Sequence, residues 1–135
     1  MKAPKAFVLD SWAIMAYLED EPAAIAIADM IADAPLRGTA LLMTVVNAGE
    51  VWYTMARRRS VHDADQVIRW LREIGIDLVN ADMELTLIAA RYKAKGGISY
   101  ADCFAAALAK QAGGTLVTGD HEFEQLQEQI SILWL

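Results

Sequence analysis

Cysteine is almost missing from these 135 residues: the single Cys103 has no partner for an internal disulfide and none for a thiolate zinc site. The fold must therefore stand on packing alone, and it suits a reducing compartment. Histidine occurs only as His62 and His121, at no spacing that makes a dyad or a ligand pair. Neither GxxxxGKS/T nor GxGxxG is present, which removes two common phosphate cradles. Long apolar runs are lacking too. The longest uncharged stretch, Gly38 to Gly49, is well short of the roughly 18 to 20 residues that cross a bilayer, and Ala6 to Leu9 is too short for a signal-peptide core. A cytoplasmic protein without a membrane partner is expected. Basic excess is absent: 12 Lys and Arg stand against 18 Asp and Glu, a net charge of −6 and the wrong sign for coating nucleic acid. What is present is 56 % apolar residues with 22 % charged, enough to build one globular core, so residues 1–135 are expected to form a single domain.

Short apolar runs alternate with helical patterns. Lys5 to Leu9, Ala40 to Met43, Ile76 to Val79, Thr115 to Thr118 and Ile130 to Leu135 read as strands. Between them, helices are expected over Trp12 to Leu18 with Ser11 as cap, from Pro22 to about Ala34, and from a Thr44 cap to about Arg59. Further helices are expected over Asp63 to Glu73, from an Asp82 cap to about Lys95, and over Tyr100 to Gln111 behind Ser99, with a helical turn near Phe123 to Leu126. On the Thr44 helix, Val45, Ala48, Trp52 and Met55 form an apolar stripe, and Asn47, Glu50, Thr54, Arg57 and Arg58 a polar one. Such alternation predicts an α/β fold: a central, mostly parallel sheet of about five strands flanked by helices on both faces, with the working site outside the carboxyl ends of the strands.

Two strands end at a carboxylate, Asp10 and Asp120; Glu50 lies two turns into the helix after the second strand, and Asp102 in the first turn behind Ser99. All four can converge at one sheet edge. Four carboxylates in one cleft repel, and a divalent cation is what makes that tolerable; oxygen ligands without His or Cys favour Mg²⁺ or Mn²⁺ over zinc. Such a site suits phosphodiester hydrolysis. Each acid also has a plainer reading: Asp102 as half of a capping box, Asp10 as a polar strand end, Glu50 on an exposed helix face, Asp120 in a turn.

The stretches VLDSWAIMAYLEDEP (Val8 to Pro22), TVVNAGEVWYTMARR (Thr44 to Arg58), SYADCFAAALAK (Ser99 to Lys110) and VTGDHEFEQL (Val117 to Leu126) resemble, in order and spacing, the PIN domain, and most closely the VapC toxins of toxin–antitoxin pairs. The resemblance implies a PIN-like fold and a Mg²⁺- or Mn²⁺-dependent endoribonuclease acting on tRNA, rRNA or mRNA, commonly dimeric and neutralised by a cognate VapB-like antitoxin. It places the acidic cluster on Asp10, Glu50, Asp102 and Asp120, with Asn47 and Thr118 as accompanying polar positions. Where many PIN domains carry a second aspartate this chain has Glu122, so a fifth ligand stays open.

In that setting Asp10, Asp102 and Asp120 hold metal directly, and Glu50 binds a second ion or orients the attacking water. Asn47, one turn before Glu50, can fix it by hydrogen bonding, and Ser11 and Thr118 either support the site or serve only as helix cap and strand end. Arg57 and Arg58, or Lys93 and Lys95, are candidates for tracking an RNA backbone; helix ends stabilised by the dipole explain them as simply. The four tryptophans read as core or interface, and the helix from Pro22 offers a dimer or antitoxin surface. Alternative functions are RNA maturation, a non-catalytic PIN binding module and, remotely, a phosphoacceptor receiver domain.

Overall fold

The computed structural model describes residues 3–135. The apolar runs pair as β1 (Ala6–Leu9), β2 (Ala40–Thr44), β3 (Ile76–Val79), β4 (Thr115–Thr118) and β5 (Ser131–Trp134), in the order β3-β2-β1-β4-β5. Every pairing is parallel, so the sheet is wholly rather than mostly parallel. Parallel neighbours need crossovers, and the helices supply them. Because side chains alternate along a strand, Val8 and Leu116 face one side, where α5 (Met83–Ala94) and α6 (Tyr100–Ala112) cover them. Leu9, Leu41, Met43 and Val117 face the other, under α1 (Ser11–Leu18), α2 (Ala24–Asp33), α3 (Val45–Arg58) and α4 (Val61–Glu73). No helix of the described residues is long and apolar enough to cross a membrane.

Helix starts follow cap chemistry, and three differ from the sequence expectation. Asp10, not Ser11, caps α1: its backbone is extended and its Oδ1 accepts the Ala13 N–H at 2.8 Å, which puts Ser11 inside the first turn with its hydroxyl free for another partner. Pro22 does not begin α2. A left-handed Asp20 (φ 53) and the bond from the Ala24 N–H to the Glu21 carbonyl (2.9 Å) make a turn first, so helical geometry starts at Ala24; a 3₁₀ turn over Ala34–Arg37 then contains Pro35. Ser60 caps α4 through the Asp63 N–H, so that helix begins at Val61 rather than Asp63. Thr44, Asp82 and Ser99 cap α3, α5 and α6 as expected. On α3 the apolar face is Ala48, Val51 and Met55; Val45 is exposed, and Asn47, expected on the polar face, is fully buried.

The chain builds outward from β1 through β2 to β3, then jumps to β1's other side for β4 and β5. The direction reverses between β1 and β4, and at such a switch point the flanking crossovers part to leave a crevice beyond the carboxyl ends. Asp10 leaves β1 into that crevice, and Asp120 lies two residues past the end of β4.

Candidate active site

Local chemistry fixes each acid before the acids meet. Asp10 is held twice, by its cap bond and by the Thr118 hydroxyl, which donates to Oδ2 at 2.5 Å across the β1–β4 boundary. The same Thr118 oxygen accepts the Asp120 N–H at 3.0 Å, so one buried hydroxyl ties both strand ends together. Asp120 in turn caps the 3₁₀ turn His121–Leu126 by accepting the Glu122 N–H at 3.0 Å. Asp102 sits in the first turn of α6 behind the Ser99 cap.

Oxygens of Asp102, Asp120 and Glu122 lie within 4.8 Å of one another, close enough for one cation. The trio is graded from buried Asp102 to exposed Glu122, so the site opens to solvent on one side. Glu122, left open by the sequence, joins Asp102 and Asp120 in this group, whereas Asp10 and Glu50, expected at the same edge, stand outside it. The donor set is oxygen only, with no His or Cys, which fits a hard divalent ion.

Glu50 is positioned from two sides. Its Oε1 accepts from the Ser11 hydroxyl at 3.0 Å and from Asn47 Nδ2 at 3.2 Å. Asn47 also donates to the Ala101 carbonyl (3.1 Å), while Thr44 donates its hydroxyl to Asn47 Oδ1 (2.6 Å) and accepts the Asn47 N–H (3.0 Å). Asn47 therefore links β2, α3 and the start of α6, and every polar atom of its side chain is satisfied. The spacing Thr44, Asn47, Glu50, with three residues at each step, was the signal for this bridge. Asn47→Ala is expected to lower stability by about 2 kcal/mol by stranding buried partners, seen as a lower urea midpoint with an unchanged m-value.

Electrostatics follows burial. Asp10 is 1 % exposed, and desolvation pushes its carboxyl up to about 7 against the lowering effects of the Thr118 and Ala13 bonds; the charges of Asp120 and Glu50 add to the rise. Asp102 is pushed up to about 8, first by burial, then by side-chain hydrogen bonding with Glu122 and by the charge of Asp120. Burial thus favours the protonated forms of Asp10 and Asp102.

The basic candidates lie in other arrangements. Arg58 pairs with Glu19, the Arg57 guanidinium stands 5.1 Å from the Tyr53 ring centre, and Lys93 donates to the Ile98 carbonyl at 2.9 Å, bracing the loop before Ser99; Lys95 is exposed. Of the tryptophans, Trp70 stacks on Tyr17 and Trp52 donates to Asp65, whereas Trp134 stacks on His121 next to the acids and is 36 % exposed.

The PIN domain family matches residues 7–129. A ribonuclease VapC of Mycolicibacterium smegmatis is 31 % identical over 117 residues, covering 82 % of this chain and 88 % of that protein. Among solved structures, DNA-bound VapBC of Salmonella typhimurium superposes with a TM-score of 0.74 at 15 % identity, covering 95 % of this chain and 96 % of that one. VapC20 of Mycobacterium tuberculosis, a sarcin–ricin loop cleaving toxin, gives 0.71 at 15 % identity over 89 % and 93 %. At these identities the structures speak for the fold, which they share with this chain.

Proposed function

From a chain that belongs to the PIN-domain family, in its VapC branch, we propose a divalent-metal-dependent endoribonuclease that serves as the toxin of a toxin–antitoxin pair. The observation that carries this reading is the convergence of Asp102, Asp120 and Glu122 within 4.8 Å at the switch point, with buried Asp10 outside that group of three but tied to Asp120 through Thr118 and feeling the charges of both aspartates. Asp10, Asp102 and Asp120, with Glu122 at the open side, would hold Mg²⁺ or Mn²⁺. When bound, the ion supplies charge neutralisation at a phosphodiester and a more acidic water.

The remaining work belongs to the chain. Asp10 and Asp102 give up their protons as the site fills, and the Thr118 hydroxyl keeps Asp10 in place while it ionises. Glu50 receives both its hydrogen bonds on Oε1, which leaves Oε2 to accept a proton from the attacking water as general base. Of the four basic candidates, Arg57 and Lys95, at or just past the ends of α3 and α5, are held neither by an ion pair nor by a backbone carbonyl and would meet RNA phosphates, a local attraction that the net charge of −6 does not provide. The 135 residues act as one PIN-like domain, in the cytoplasm, as a homodimer, until a VapB-like antitoxin brings an Arg or Lys into the acidic pit. The relatives solved as VapBC complexes support that partner.

Purified protein is expected to cleave structured RNA with Mn²⁺ or Mg²⁺ and to stop in EDTA. Cleavage that continues unchanged in EDTA contradicts the reading.

A further inference from the structure

Trp12 lies two residues beyond Asp10, in the first turn of α1, and its indole fills the space that a side chain at position 119 would need. A Cβ on Gly119 would overlap ring atoms Cζ2 and Cη2, and would lie 2.8 Å from Cε2. Gly119 is not among the glycines with positive φ, so an L residue could adopt its backbone conformation. Space, rather than backbone geometry, makes glycine necessary there.

The first turn of α1 thus grips the corner Thr118-Gly119-Asp120 at two points. One is polar, the Thr118 hydroxyl on Asp10; the other is apolar, the Trp12 ring on Gly119. The polar anchors of this corner fall on Thr118 and Asp120: the Asp120 N–H donates to Thr118 Oγ1, and Asp120 accepts the N–H groups of Glu122 and Phe123. Between them, the flat ring is the steric stop against Gly119. We propose that Trp12 is a positioning residue for Asp120: seated on Gly119, it holds the corner after β4 so that the Asp120 carboxylate stays in reach of Asp102 and Glu122. This rests on the reading of Asp120 as a metal ligand. On its other side the ring lines a groove of about 530 Å³ together with Glu19, Arg58 and Leu135.

The test is calorimetric titration of Mn²⁺ into the full chain at pH 8, with melting in EDTA recorded for each variant. Trp12→Ala is expected to weaken binding about tenfold, and Trp12→Phe, which keeps a flat ring, by no more than about threefold. Gly119→Ala is expected to weaken it at least about tenfold, yet the double variant Trp12→Ala with Gly119→Ala should be no weaker than Trp12→Ala alone, because the new methyl then meets nothing. A merely structural tryptophan would lower the melting temperature and leave Mn²⁺ affinity alone. Should Trp12→Ala not fold, Trp12→Leu carries the comparison. Wild-type affinity in the Trp12 variants, or losses that multiply in the double variant, overturns the proposal. Wild-type protein that takes up no Mn²⁺ overturns the metal-site reading beneath it, a distinct result.

Discussion

Asp10→Asn is expected to make the metal-free protein more stable at pH 8 while it nearly abolishes RNA cleavage. Asparagine keeps the cap, since its amide oxygen can still accept the Ala13 N–H, and it keeps a polar group facing Thr118. What it removes is a charge that the fold holds at a disadvantage, for burial has pushed the Asp10 carboxyl up to about 7 from 3.8. Relief of that charge is worth about 2 kcal/mol, or roughly 5 to 8 °C in melting temperature. Loss of one anchoring carboxylate should remove ~4 kcal/mol of transition-state stabilisation, a roughly thousandfold fall in cleavage rate. Thermal scans in EDTA and a time course on RNA with Mn²⁺ check the two halves. A variant that melts lower than wild type at pH 8 would mean that Asp10 serves the fold rather than the chemistry.

The second large effect is in pH. Asp10 and Asp102 hold their protons to about 7 and about 8 in the folded chain, against 3.8 in the unfolded one. Between those values the folded state binds more protons, so unfolding free energy falls as pH rises. The contribution is complete below the unfolded value and gone above pH 8. Metal-free protein should therefore melt highest near pH 5 and lose on the order of 3 kcal/mol by pH 8.5. Saturating Mn²⁺ at ~100 times its dissociation constant should return about 2.7 kcal/mol at pH 8.5 and very little at pH 5, where protons compete for the same oxygens. Differential scanning calorimetry across that range, with and without Mn²⁺, is the measurement; equal stabilisation by metal at both ends would count against the pit as the binding place.

Much of this was legible in the chain because it is written locally. Short apolar runs, the Thr44, Asp82 and Ser99 caps, and an acid at or just past the end of two strands are patterns of a few residues, and parallel topology follows from alternation alone. What escaped was set by contacts distant in sequence. Serine's preference for cap positions makes Ser11 the expected cap; the extended backbone at Asp10 decides otherwise, and the freed hydroxyl goes to Glu50, 39 residues away. Helical periodicity puts Asn47 on the polar stripe one turn before Glu50, which it does bond, but its full burial beside α6 and its bond to the Ala101 carbonyl are not in the local pattern. Glu122 gains its place from the 3₁₀ turn that Asp120 caps, and a turn of that kind leaves only a weak trace in sequence. The seat of Trp12 on Gly119 joins residues more than a hundred positions apart, so no periodicity reports it.

At the centre of this chemistry the acidic pit exchanges protons for a divalent cation. Calorimetry of Mn²⁺ binding at pH 7 in two buffers of different ionisation enthalpy counts the protons released. Uptake of the ion with release of about one proton or more per chain, reduced in Asp102→Asn, is the result predicted from carboxyls pushed up to about 7 and about 8. Absence of binding, or binding with no proton release and no change in Asp102→Asn, would contradict it.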